Sequence, residues 1–90
     1  MKITSTKGTI EVKTATEARE WFNTMQPAYA DIDGIEVAAP FMGSAVYCLS
    51  NDDASLPLGE CDDLGDLAAA VAQCILAGDA DWSGWEVSAF

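Results

Sequence analysis

The apolar positions of this chain alternate at its start and then change period. In "KITST" and "TIEVK" the residues Ile3, Ile10 and Val12 are spaced by polar neighbours, which predicts two short strands joined by a hairpin turn at Lys7-Gly8. Thr14, followed three residues later by Glu17, has the form of a capping box. Ala15, Ala18, Trp21, Phe22 and Met25 then recur at helical spacing up to Pro27, which predicts a first helix over 15–26. Past the turn dipeptide Asp33-Gly34, Ile35 and Val37 alternate again, and "SAVYCLS" is a β-rich run bounded by Gly43 and Asn51. The stretch from Asn51 to Gly59 reads as a loop. After it, Leu64, Leu67, Ala68, Val71, Ile75 and Leu76 form an amphipathic stripe that starts near Asp62 and stops at Gly78. A last strand in "WEVSAF" completes the order ββαββαβ, an α+β fold in which an antiparallel sheet of four to five strands packs with two helices.

Length sets one domain: 90 residues give one core and not two. Hydrophobic residues make up 50% of them, so enough apolar surface exists to offset the ordering entropy despite a formal net charge of -11. The apolar runs are too short to span a membrane, and "MKITSTKGTIEV" lacks the apolar stretch of a secretory signal, so the expected location is the cytoplasm. Cys48, Cys61 and Cys74 form an odd set with no histidine to complete a structural zinc site, and are expected as free thiols: small hydrophobes in a strand, at a helix start and in a helix interior.

Charge changes the picture more than composition does. All four bases, Lys2, Lys7, Lys13 and Arg19, fall in the first nineteen residues, whereas Glu20 to Phe90 carries thirteen carboxylates and no Lys or Arg. The densest run is "NDDASLPLGECDDLGD", residues 51–66, with six carboxylates. Acids in the first turn of a helix interact favourably with its dipole, which accounts for Asp62, Asp63 and Asp66. It does not account for Asp52, Asp53, Glu60, Asp79 and Asp81. Crowded like charges oppose folding, so a partner that neutralises them has a driving force, and that partner is basic.

Other chemistries fit less well. Without histidine the commonest general base is missing and no nucleophile-base pair stands out, so neither an enzyme nor a cofactor is expected. Asp79, Asp81, Ser83 and Gly84 match the first half of a calcium-binding loop, but its bidentate Glu would fall on Phe90, so the segment reads as a polar turn and no metal site is expected. Direct nucleic-acid binding would need bases where this chain has none.

In size, acidity and absence of histidine and of catalytic motif, the chain resembles the small anti-CRISPR proteins of phages and mobile elements, particularly those acting on type I surveillance complexes. More loosely it is similar to antirestriction DNA mimics and to the ribonuclease inhibitor barstar. That resemblance implies a stoichiometric inhibitor that blocks DNA binding by basic effector subunits and acts as a monomer or a homodimer. Its expected partner-binding residues, taken from the charge pattern, are Asp52, Asp53, Glu60, Asp62, Asp63, Asp66, Asp79 and Asp81. The alternative is a small acidic adaptor or assembly protein anchored through Trp82 and Trp85.

Overall fold

Seven strands and two helices make up the computed structural model, which describes residues 1–78 and 81–90. The α+β class expected from the sequence holds, with every strand pair antiparallel. The strands divide between two sheets, however, where one was expected. One sheet has the order β2-β1-β3-β4 and is built from β1 (Lys2–Ser5), β2 (Gly8–Glu11), β3 (Ala30–Ile32) and β4 (Ile35–Glu36). The other has the order β6-β5-β7, from β5 (Ala45–Ser50), β6 (Ser55–Cys61) and β7 (Glu86–Ala89).

Two of these strands depart from the sequence expectation. β3 is three residues long with an aspartate at its centre, but it pairs with β1 on one side and β4 on the other and buries Ala30 and Ile32. The expected loop over 51–59 holds most of β6. Pro57 and Gly59 argue against a strand locally, yet both are tolerated at a sheet edge, where a missing N–H costs no ladder bond. The extra residue of β6 is taken up by a register shift at Tyr47/Cys48, so the bulge lets an irregular sequence pair with a regular strand.

The first helix, α1 (Ala15–Met25), begins as expected: Thr14 Oγ1 accepts from Glu17 N at 3.1 Å, while Glu17 Oε2 reaches back to Lys13 N at 3.4 Å. It ends at Gln26, whose left-handed backbone (φ 43°) returns its N–H to Phe22 O before Pro27. The second helix, α2 (Leu64–Ala77), is capped by Asp63 and buries Gly65, Leu67, Ala68, Ala69, Val71 and Ala72. Among them, Gly65 lets the first turn of α2 lie close to Asn23 of α1. Between helices and sheets, Ile3, Ile32, Ile35, Phe22, Tyr47, Leu49, Leu67 and Val71 are fully buried in one continuous core.

The chain passes from one sheet to the other through residues 37–44, and Tyr47 holds that crossing in place. Its hydroxyl donates to Gly43 O at 2.6 Å and accepts from Met42 N at 3.0 Å, while its ring stacks on Phe41 with centroids 5.9 Å apart. Replacing Tyr47 with Phe leaves the core volume almost unchanged but strips both partners from a part-buried turn. The expected loss is about 1–3 kcal/mol of stability, read by urea unfolding with an unchanged m-value.

Candidate functional site: the acidic segment from Asn51 to Asp66

A tight turn starts the acidic stretch. Asn51 Oδ1 accepts from Asp53 N (2.9 Å) and Ala54 N (2.7 Å), which closes the β5–β6 hairpin and leaves the side chains of Asp52 and Asp53 exposed at its tip. β6 then carries the chain away from them. Its six steps from Ser55 to Cys61 span about 20 Å at a strand's rise. Glu60 is exposed near the far end, opposite Val46, and Asp62 follows just beyond. The stretch that is contiguous in sequence therefore forms two acidic surfaces at opposite ends of one hairpin. Glu86, opposite Ser50, lies at the tip end beside Asp52 and Asp53.

At the start of α2 the carboxylates are not equivalent. Asp63 Oδ1 accepts from Asp66 N at 2.8 Å as the helix cap, and Asp66 Oδ2 accepts from Asp62 N at 3.2 Å. These two acids satisfy backbone donors that the first helical turn cannot pair internally. Asp66 is also half-buried and sits 3.8 Å from Arg19 Nη2 of α1. Asp66, expected from the charge pattern among the partner-binding residues, is thus occupied by the cap and by Arg19. Asp62 remains exposed, its backbone held by Asp66 on one side and by Ser44 Oγ, which donates to Asp62 O at 3.4 Å, on the other.

Arg19–Asp66 and the pair between the N-terminal amine and Glu11 (3.4 Å) are the ion pairs among the described residues. No base approaches Asp52, Asp53, Glu60 or Asp62 among them. Asp81 is exposed and turns back on Ser83, accepting from its N–H at 3.0 Å and its hydroxyl at 2.8 Å; these bonds, the backbone one first, hold its carboxyl below the usual range. Asp79 lies outside the described residues.

Trp82 and Trp85 are half-buried, pack against the core and meet edge to face at 5.2 Å. Among the described residues no helix is long and apolar enough to cross a membrane. Comparison with protein-family models, curated proteins and solved structures gave no match.

All three cysteines are free, with Cys48 and Cys61 buried and Cys74 half-buried. Cys61 ends β6 rather than starting the helix. Burial, and after it the carboxylates of Asp66, Asp62 and Asp63, push its thiol above the ordinary range; burial does the same to Cys74. A raised folded-state value means that the folded protein holds the proton more tightly than the unfolded chain. Stability from this source is therefore complete below the unfolded thiol's pKa of about 8.5 and declines as pH rises above it. We expect Cys61→Ala to flatten that alkaline decline in thermal unfolding, to cost about 1–2 kcal/mol at neutral pH, and to leave partner binding unchanged.

Proposed function

We propose that this chain is a stoichiometric protein inhibitor whose acidic surface blocks a nucleic-acid-binding protein, and that its target is DNA binding by a type I CRISPR surveillance complex. One observation supports the reading: Asp52, Asp53, Glu60 and Asp62 are exposed carboxylates with no basic side chain against them among the described residues, on the β5–β6 hairpin and the turn that follows it. Such groups accept charge-assisted hydrogen bonds from the Arg and Lys side chains that otherwise hold phosphates. Two acidic ends about 20 Å apart suit a basic channel that follows a nucleic-acid backbone, since each end can replace a separate group of phosphates.

The test is a gel-shift titration of target DNA bound by a purified type I complex. The reading requires release of DNA at near-equimolar inhibitor and steep weakening of that inhibition as salt rises. Inhibition far below equimolar amounts would indicate turnover instead of occupancy, and undisturbed DNA binding at large excess would remove the proposed target.

A further inference from the structure

β2 ends the four-stranded sheet, with β1 as its strand neighbour on one side and no strand on the other. The ladder fixes which of its backbone groups are already used. Met1 N donates to Val12 O at 2.7 Å and Val12 N donates to Met1 O at 2.9 Å, so Ile3 and Ile10 also exchange both bonds, and Thr9 and Glu11 fall at the alternate positions. The N–H and C=O of Thr9 and Glu11 therefore point off the sheet, and both residues are exposed. Among the described residues, no backbone bond outside the ladder engages either of them. The other edges are built differently. β6 carries Pro57 and a register shift, both of which discourage a further strand, while β4 is two residues long and lies against β7. β2 has no proline, and its pairing with β1 runs without a shift from Gly8 to Glu11.

Beside this edge an open groove of about 360 Å³ runs between β2 and α1, lined by Ile10, Val12, Trp21 and Met25 together with Glu17 and Glu20. Met25 is exposed, and Ile10 and Trp21 are half-buried, so apolar surface continues from the sheet edge onto the helix. Charge selects what can cover it. Lys7 and Lys13 flank β2, and Lys2 lies opposite Glu11, so three bases balance Glu11, Glu17 and Glu20 around the edge, whereas residues 21–90 hold carboxylates and no base. Two copies of a chain of net charge -11 repel each other, and least where the bases lie. The edge that is open for another strand is also the surface on which a second copy meets the least repulsion.

We propose that β2 pairs antiparallel with β2 of a second copy, joining two four-stranded sheets across a two-fold axis at Ile10. In this register Thr9 of each copy lies opposite Glu11 of the other, and their outward N–H and C=O groups form four hydrogen bonds. Centring on Glu11 would set two carboxylates against each other, and centring on Thr9 would run the pairing into the turn at Thr6 and Lys7. With the axis at Ile10, the two isoleucines meet on the α1 side of the sheet and the two grooves close over them. Lys7 of each copy reaches Glu11 of the other along the diagonal, while Lys7 and Lys13 oppose each other only at the ends, where long exposed side chains splay apart. The interface uses none of Asp52, Asp53, Glu60 and Asp62, so it stands independently of the inhibitor function and leaves the acidic segment of both copies free.

The test is sedimentation velocity on the purified chain from about 1 to about 300 µM, where the mass should rise from 9.5 kDa to twice that value. Thr9→Pro removes an outward N–H without touching the bonds to β1, and should weaken the dimer by about tenfold or more. Glu11→Lys leaves lysines facing lysines across the axis and should weaken it by about fivefold or more. Because Glu11 also pairs with the N-terminal amine, urea unfolding of both variants checks that the fold persists. Amide exchange in the parent protein reads the edge without any substitution: Thr9 and Glu11 should slow by about tenfold or more across the concentration series, while Ile10, already bonded to Ile3, stays unchanged. A monomer at every concentration overturns the proposal. So does a dimer that leaves the Thr9 and Glu11 amides unprotected and survives Thr9→Pro, since it would be joined through another surface.

Discussion

Reversing Asp52, Asp53, Glu60 and Asp62 to Lys is expected to reduce affinity for the basic partner by at least about a hundredfold while leaving the fold intact. Each reversal removes an acceptor and introduces repulsion, at about 1–3 kcal/mol per contact in a charge-assisted interface, so two effective contacts already exceed the factor stated. Stability should change little or improve, because the four side chains are exposed, none pairs with a base among the described residues, and the reversal relieves self-repulsion in a chain of net charge -11. Asp63 and Asp66 are left out deliberately. Replacing them would remove the cap of α2 and the partner of Arg19, and a loss of binding could then follow from loss of structure. Isothermal titration against the purified partner, beside urea unfolding, reads both halves of the prediction. Unchanged affinity in a folded quadruple variant would place recognition outside the acidic stretch. Reversal of the tip pair and of the Glu60/Asp62 pair separately then tells whether one end or both engage.

That choice of variants shows where the sequence was legible. Helical period and local caps act over three or four residues, and α1 and α2 follow from Thr14, Glu17 and the Leu64-to-Leu76 stripe with boundaries displaced by a residue or two. The hairpin of β1 and β2 is equally local, although its turn falls on Thr6 and Lys7 because Ser5 pairs with Gly8. β3 and β6 are set by distant partners. Nothing within "SLPLGEC" indicates that Leu56 will lie opposite Leu49 or that Pro57 will sit on a free edge. The candidate site inherits this. Its composition was plain in the row of aspartates, but a strand hidden inside that row moves its two halves apart. The pairing of Asp66 with Arg19 joins residues 47 positions apart and carries no local signal. Glu36 and Glu86 belong to no charge run, and only the divided sheet brings them to one cavity with Trp85.

Gly65→Ala should cost about 2–4 kcal/mol, although in an ordinary helix the same change is stabilising by up to about 1 kcal/mol. A Cβ at this position would lie 2.3 Å from Asn23 Oδ1 and 2.5 Å from the two neighbouring atoms of the same side chain. The Asn23 amide cannot simply move aside without loss, because its Oδ1 accepts from Gly65 N at 3.1 Å and so ties α1 to the first turn of α2. Gly65 thus serves close approach, and Asn23 supplements the Asp63 cap from a different helix. A methyl group forces the side chain out, breaks that bond and leaves a part-buried N–H without its acceptor. The double-mutant cycle separates these causes. In an Asn23→Ala background the obstruction is gone, so adding Gly65→Ala should cost less than about 1 kcal/mol or raise stability, giving a coupling of about 2 kcal/mol or more between the sites. Additive losses would mean that the backbone of α2 resists the methyl group, not Asn23. Because this junction also carries Asp62, the single Gly65→Ala variant should weaken partner binding more than Asn23→Ala/Gly65→Ala does, provided both are compared at a temperature where each is folded. Such an ordering would show that the helix junction positions the acidic surface as well as stabilising the fold.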